Sequence, residues 1–153
     1  MTSLEFARVA VVTLVILSGL SSGAMLTIAL LQSADKEPTP EFWTERQNVN
    51  DRFFRKIMPR VFPLILIAAG TSAMLLHHNG RVLMLVSLVA WLAVIVVTGA
   101  LEVPLNKRIE QWQPGAIPPE WREVRTKWDG NHRLRTYFGL AAFLCAVVAL
   151  SNL

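Results

Sequence analysis

The sequence is poor in the residues from which many enzyme sites are built. It has one cysteine, Cys145, among 153 residues, and a single thiol forms no internal disulfide and leaves the redox compartment open. It also lacks the CxxC, HExxH, GxxxxGK and GxGxxG motifs, which excludes the familiar thiol-redox, zinc-protease and nucleotide-binding sites. No pair of acidic residues lies deep inside an apolar run, and this argues against proton-coupled transport.

Charge is missing from four long stretches of the chain. Residues 9–31 and 82–101 carry none over 23 and 20 positions, and residues 61–76 and 137–150 are uncharged runs of 16 and 14. About 20 apolar residues cross a hydrocarbon core of roughly 30 Å, so the first two runs are long enough alone and the others need flanking residues. The first run exceeds the roughly 7–15 apolar residues of a signal peptide, and we expect it to remain as a helix.

These runs predict an all-α integral membrane four-helix bundle that forms a single domain. Spans are expected at about 9–31, 60–78, 82–101 and 134–152, with connections at 33–59 and 102–133 and a tight turn at Asn79-Gly80. Six basic residues lie in 33–60 and seven in 102–135, whereas the other side has only Arg8 and Arg81. The positive-inside rule therefore predicts that both long connections are cytoplasmic and that both termini lie outside. The membrane that we expect is a bacterial inner membrane. The net charge of +4 then faces anionic lipid rather than nucleic acid.

The first connection has the pattern of an amphipathic interfacial helix. Thr39 is a good N-cap and Pro40 a good first helical residue. Apolar residues then recur at helical spacing, at Phe42, Val49, Phe53 and Ile57. This pattern predicts a helix on the cytoplasmic interface that breaks near Pro59 and Pro63, where the second span begins.

The first span contains a GxxxG pattern at Gly19 and Gly23. Small residues at this spacing allow close helix packing in lipid. Packing inside the bundle is favoured over dimerisation, and a homo-oligomer stays open.

A single helix over residues 119–150 is expected to be about 48 Å long at 1.5 Å per residue, so it would extend beyond the bilayer into the cytoplasm. One face of it carries Trp121, Arg125, Trp128, His132 and Arg135, at spacings of 4, 3, 4 and 3. Polar residues on a helix face that would ordinarily be apolar predict that this face lines a binding or catalytic site. The alternative is an aromatic belt with phosphate-binding anchors.

Two other positions carry candidate chemistry. Glu102 ends the third span, where an ionisable residue is expensive and is therefore a functional candidate, unless it reaches water. His77 and His78 are adjacent in sequence, so on a helix they would point about 100° apart, which argues against their binding one metal ion together.

The segment from Glu102 to Thr136 resembles the anthrone oxygenase-like family of small four-helix membrane proteins, mostly of unknown function. The resemblance rests on Val103-Pro104 with Asn106, Trp112, Pro118-Pro119 with Trp121, Arg125 with Trp128, and His132 with Arg135-Thr136. A looser match around "NVNDRFFRKIMPRVFP" adds Asn50.

The resemblance implies oxidation of an anthrone-like, flat polyphenolic substrate by O2, with no bound cofactor or with a metal. In that interpretation His132 is the general base, and Arg125, Arg135 and Asn106 stabilise negative charge on the substrate. Trp112, Trp121, Trp128, Asn50 and Glu102 are the candidate substrate-binding residues, and no metal ligands are assigned. Two alternatives stay open: a haem or copper protein with His132 as a ligand, and a non-enzymatic lipid-binding or accessory membrane protein.

Overall fold

Helices make up nearly all of the computed structural model, which describes residues 2–153. They are α1 (Ser3–Ala34), α2 (Pro40–Leu75), α3 (His78–Val97), α4 (Val103–Glu110) and α5 (Trp121–Ser151), and a five-residue π-helix (Thr98–Glu102) joins α3 to α4. Because α3, the π-helix and α4 form one rod, there are four rods, each long and apolar enough to cross a membrane. No β-strand occurs in the range described. The predicted fold, an all-α integral membrane protein of four helices, is confirmed.

The four rods close into a bundle. α1 packs mainly against α2 and α5, and α3 likewise packs against α2 and α5. The core contains fully buried side chains from all four rods: Val11, Leu14, Ile65, Met84, Trp91 and Ala146. Large apolar side chains such as Leu20, Met74 and Val89 point outward and are exposed. An apolar exterior of this extent is expected where the surroundings are lipid rather than water.

Small residues bring α1 and α5 together. A Cβ atom at Gly19 would lie 2.9 Å from Cε2 of Phe143, and one at Gly139 would lie 2.5 Å from Cε of Met25. A Cβ atom at Gly23 would meet nothing within 4 Å in the described chain. Gly19 therefore serves packing inside the bundle, which is the role that the sequence favoured over dimerisation.

The predicted helix break near Pro59 and Pro63 is wrong. α2 runs unbroken from Pro40 to Leu75 with both prolines inside it, so the amphipathic segment is not a separate interfacial helix. Proline removes a backbone donor, but helices in lipid tolerate it where other groups satisfy nearby carbonyls. The guanidinium of Arg60 donates to the backbone carbonyl of Lys56, in the helical turn that contains Pro59. Thr39 caps this helix as expected, by accepting from the Phe42 amide at 3.3 Å.

The long last helix is present as predicted, although it begins at Trp121, two residues after Pro119. The bundle has two unlike ends. At one end the α2–α3 turn lies near both chain ends, where Arg8 donates to the Leu153 carbonyl at 3.0 Å. The other end, here called the polar end, contains the end of α1, the first half of α2, α4, and the start of α5. It holds the site described below.

Candidate functional site

A cavity of about 230 Å³ lies at the polar end, between α2 and the rod of α3, the π-helix and α4. One face of α2 supplies its apolar wall, through Phe54, Met58, Pro59 and Phe62. The opposite wall is polar and contains Thr98, Glu102, Asn106 and Arg135. Ligand pockets commonly combine a mostly apolar lining with a few convergent polar groups. Their volumes commonly run from roughly 300 Å³ upward, so this cavity suits a small ring system.

Glu102 is the only carboxylate of the cavity that is nearly inaccessible, with 1% of its surface exposed within the described chain. Its Oε2 atom pairs with Nη1 of Arg135 at 2.7 Å. Its Oε1 atom has no hydrogen-bond partner among residues 2–153. Glu102 ends the π-helix, a rare form that occurs often at functional sites. A buried carboxylate with a free oxygen on a cavity wall is a candidate acceptor for a substrate proton.

Arg135 connects three groups on this wall. Besides Glu102, its guanidinium donates to Thr98 Oγ1 at 3.2 Å and to Nδ1 of His132 at 2.9 Å. Thr98 in turn donates to the Val94 carbonyl at 2.7 Å, which fixes its hydroxyl rotor. The positive charge of Arg135 is therefore held on the cavity wall beside Glu102.

His132 lies behind the wall of this cavity rather than on it. The ring is 1% exposed and stacks on the Trp128 ring, with 4.7 Å between centroids and 9° between planes. Its Nε2 atom lies 2.9 Å from the Met25 carbonyl, which can only accept, and its Nδ1 atom faces Arg135, which can only donate. The neutral ring must therefore carry its proton on Nε2. Nδ1 is also 3.7 Å from Oε1 of Glu102.

A chain of hydrogen bonds runs along the cavity wall from α5 through α4 to α2. Trp128 Nε1 donates to Asn106 Oδ1 at 2.8 Å, and Asn106 Nδ2 donates to Asp51 Oδ1 at 2.7 Å. Arg55 then pairs with Asp51 and, at 3.1 Å, with Glu110. This chain fixes the orientation of the Asn106 amide and of the Trp128 ring, both of which face the cavity.

The structure brings together only some of the residues predicted for the site. Glu102, Asn106, Trp128, Arg135 and Asn50 line the cavity. His132 stacks on Trp128, is hydrogen-bonded to Arg135 and lies 3.7 Å from Glu102. Trp112 and Trp121 lie outside it, where both pack against the buried Trp43 ring with centroids 6.3 and 6.2 Å away. This aromatic cluster packs the loop before α5 and the start of α5 against α2, so Trp112 and Trp121 stabilise the fold there.

Arg125 also lies outside the cavity, although it shares a helix face with Arg135. It donates to the Asp35 carbonyl at 2.7 Å and lies 3.5 Å from the Asp129 carboxylate. Cations favour the negative end of a helix dipole, so Arg125 stabilises the end of α1. These contacts hold its guanidinium outside the cavity, so it does not reach negative charge that develops on a ligand there.

Apart from Asn50, sequence reasoning missed the contribution of α2 to the cavity. Gln47, Asp51, Phe54 and Met58 lie at helical spacing on the cavity side, whereas Phe42, Val49 and Phe53 point outward. Gln47 is 2% exposed, and neither polar atom of its side chain has a partner in the described part of the chain. The signal was present in the sequence: in lipid, the apolar face of an amphipathic helix faces outward and the polar face faces inward.

The donor set does not fit a haem or copper site at His132. Both ring nitrogens are already hydrogen-bonded, and the ring is not on the wall of the cavity. Within residues 2–153 there is also no group of three or more His, Cys, Asp or Glu side chains placed to hold a metal ion. Copper and iron sites usually recruit several such ligands. The alternative with His132 as a metal ligand is therefore not carried further.

Comparison with known proteins agrees with the resemblance in the sequence. The model of a family described as anthrone oxygenase matches residues 51–145, more than half of the chain. The matched region contains Asp51, Glu102, Trp128, His132 and Arg135. No curated protein and no solved structure gives a significant match.

Proposed function

The chain belongs to the anthrone oxygenase family, and we propose that it oxidises a flat polyphenolic, anthrone-like substrate with O2 inside the membrane. The single observation that carries the proposal is the buried Glu102 carboxylate. Glu102 lines a largely apolar cavity, its Oε1 atom has no hydrogen-bond partner in the described chain, and its Oε2 atom pairs with Arg135. Proton removal from a weakly acidic C–H group requires a carboxylate base and a nearby positive charge in a largely apolar site, and Glu102 and Arg135 supply these two groups.

The substrate reaches the site from lipid. The cavity lies between α2 and α4, and its rim includes the exposed Pro59 and Val103 side chains. A flat apolar molecule dissolved in the bilayer can therefore slide between these helices without crossing water. Inside, it stacks against Trp128 and the phenylalanines of α2. The free amide of Gln47 then binds a hydroxyl or carbonyl oxygen of the substrate, which supplies the partner that this amide lacks.

Glu102 takes the role of base that the sequence assigned to His132, because Glu102 is on the cavity wall and His132 is not. Its carboxylate removes a proton from the activated CH2 group between the aromatic rings. Negative charge moves to the substrate oxygen as Glu102 becomes neutral. The guanidinium of Arg135 then pairs with the substrate anion instead of with Glu102. A positive and a negative charge are paired before and after the step, which avoids an unpaired buried charge.

The substrate anion is electron-rich and reacts with O2 directly. Electron transfer and recombination form a C–O bond and give a peroxide anion, which takes the proton back from Glu102. Glu102 then removes the second proton of the same carbon as the O–O bond breaks and hydroxide leaves. The hydroxide takes that proton from Glu102 and becomes water, which restores the carboxylate. The products are the quinone carbonyl, which keeps one oxygen atom of O2, and water, which contains the other.

The test uses the purified protein in lipid nanodiscs with dithranol, a hydroxylated anthrone whose uncatalysed oxidation is measured in empty nanodiscs. We expect O2 uptake and quinone absorbance to rise together, faster than with empty nanodiscs. With isotopically labelled O2, the new carbonyl should contain the label. Quinone formation no faster than in empty nanodiscs, for dithranol and for related polyphenols, would contradict the proposal.

A further inference from the structure

His132 also contacts a second, smaller cavity, on the side of the ring away from the substrate site. This cavity, here called the rear cleft, has a volume of about 130 Å³ and lies between α1 and α5. It is lined by Ala29, Gln32, Ser33, Asp129, His132 and Arg133. Ser33 and Arg133 are exposed, so the cleft opens at the polar end of the bundle.

The rear cleft contains buried polar atoms that need a partner. Gln32 is 6% exposed, and neither its Oε1 nor its Nε2 atom is hydrogen-bonded within the described residues. Oδ1 of Asp129 is buried and unpartnered in the same way. Buried polar groups are almost always satisfied by protein or by water. A polar cleft of this volume has room for several water molecules, at about 30 Å³ each.

His132 is placed between these two cavities. Its Nδ1 atom faces Glu102 Oε1 at 3.7 Å on the substrate side. Its Nε2–H points toward α1 and the Met25 carbonyl, one turn before Ala29 in the rear cleft. Trp128 covers the ring on one face. Nδ1 of the imidazole thus faces the base of the reaction, while the residue itself lines the rear cleft and its Nε2–H donates to a carbonyl one turn before Ala29 of that cleft.

We propose that His132 passes protons between Glu102 and water in the rear cleft; the proposal rests on the function proposed above. When Glu102 has taken the substrate proton, Arg135 leaves it for the substrate anion and frees Nδ1 of His132. Glu102 then gives its proton to Nδ1, and the imidazolium releases its Nε2 proton to water in the cleft. The reverse sequence returns a proton from water to Glu102.

The relay acts while the substrate anion waits for O2. The complete oxidation consumes and releases no net proton, so turnover can proceed by return of the same proton from Glu102. The relay instead lets that proton exchange with solvent. His132 therefore acts through Glu102 rather than on the substrate itself.

The distinguishing experiment measures hydrogen exchange and turnover separately. Dithranol is incubated with the nanodisc-bound protein in D2O without O2, and deuterium in its CH2 group is measured against empty nanodiscs. The test variant is Ala29→Leu/Gln32→Leu, which fills the rear cleft with apolar atoms and touches neither Glu102 nor Arg135. The matched control is Thr27→Val, an exposed position of α1 outside the cleft.

We expect the double variant to lose about tenfold or more of the protein-catalysed exchange, in line with the contribution of a positioned proton-transfer group. Its aerobic turnover should stay within about twofold of the wild type, since the base remains in place. Exchange that is unchanged, or that falls only as much as turnover does, would overturn the relay.

A second readout does not depend on any activity. In protein with isotope-labelled histidine, the Nε2 proton of His132 should exchange with solvent deuterium more slowly in the double variant than in the wild type. Variants His77→Asn and His78→Asn assign the signal, because the chain has three histidines. Equal exchange rates would overturn the relay even if no substrate is oxidised. Absent turnover with slowed Nε2–H exchange would instead overturn the proposed function alone.

Discussion

Glu102 and Arg135 form a buried ion pair that uses only one of the two carboxylate oxygens. Oε2 lies 2.7 Å from the guanidinium, while Oε1 has no hydrogen-bond partner in the described chain and lies 3.7 Å from Nδ1 of His132. The pair comes from different rods, the π-helix and α5, so it also ties two transmembrane elements together. Stability and reactivity therefore meet in the same two side chains.

Removing one member of this pair should destabilise the protein more than removing both. Arg135→Leu leaves the Glu102 charge buried and unpaired, which costs about 3–5 kcal/mol in comparable sites. The double variant Glu102→Leu/Arg135→Leu should recover most of that loss. Reversible unfolding in mixed detergent micelles measures the difference. A double variant no more stable than Arg135→Leu would contradict a mutually compensating pair.

Asp51 should act through Asn106, because it accepts from the Asn106 amide at 2.7 Å. Asp51→Asn keeps an acceptor oxygen, whereas Asp51→Leu leaves Asn106 free to rotate and to release Trp128. We expect Asp51→Leu to lower kcat/KM for dithranol by about tenfold and Asp51→Asn by clearly less, since a buried hydrogen bond is worth about 0.5–1.5 kcal/mol. Tryptophan emission should shift only in the leucine variant. Equal kinetics for both variants would argue against this positioning role.

Trp121 and Trp128 should respond differently to the same substitution, although they share one helix face. Trp121→Leu removes part of the aromatic cluster around Trp43, so it should lower the unfolding temperature and leave KM nearly unchanged. Trp128→Leu removes a cavity wall and should raise KM for a flat substrate, because stacking contributes about 0.5–1.5 kcal/mol. Thermal unfolding and steady-state kinetics separate the two. A raised KM for Trp121→Leu would place that ring at the substrate.

The polar end should face the cytoplasm, because thirteen of the fifteen lysines and arginines lie in its two long segments. Single cysteines introduced at Gly115 and Asn79 in a Cys145→Ala background test this orientation in whole cells. A membrane-impermeant thiol reagent should label position 79 from outside and position 115 only after permeabilisation. The opposite labelling pattern would reverse the predicted topology.

The spans were predictable because uncharged runs of this length have few other structures available to them in lipid. The unbroken course of α2 through Pro59 and Pro63 was not predictable. Whether a helix tolerates proline depends on groups elsewhere in the folded chain that satisfy the freed backbone carbonyls. Arg125 and Arg135 show the same limit on a finer scale. They share one face of α5, but Arg125 meets the end of α1 at Asp35, ninety positions away. Only the packed bundle determines which of the two faces the cavity.

The same reasoning explains why the proposed role of base passes from His132 to Glu102. The sequence favours histidine as a base because its ordinary pKa is near neutrality. The fold, however, buries both ring nitrogens in hydrogen bonds behind Trp128 and leaves the free acceptor on Glu102. A chemical preference of the residue type is thus overridden by its position.

The most direct test of the account compares dithranol oxidation by Glu102→Gln with that by the wild type. Glutamine keeps the size of the side chain but accepts no proton, so quinone formation above the background should fall by about 10²–10⁴-fold. Glu123→Gln, on an exposed face of α5, should retain wild-type rates. Glu102→Gln protein that folds, binds dithranol and still turns over at the wild-type rate would contradict the assignment of Glu102 as the base.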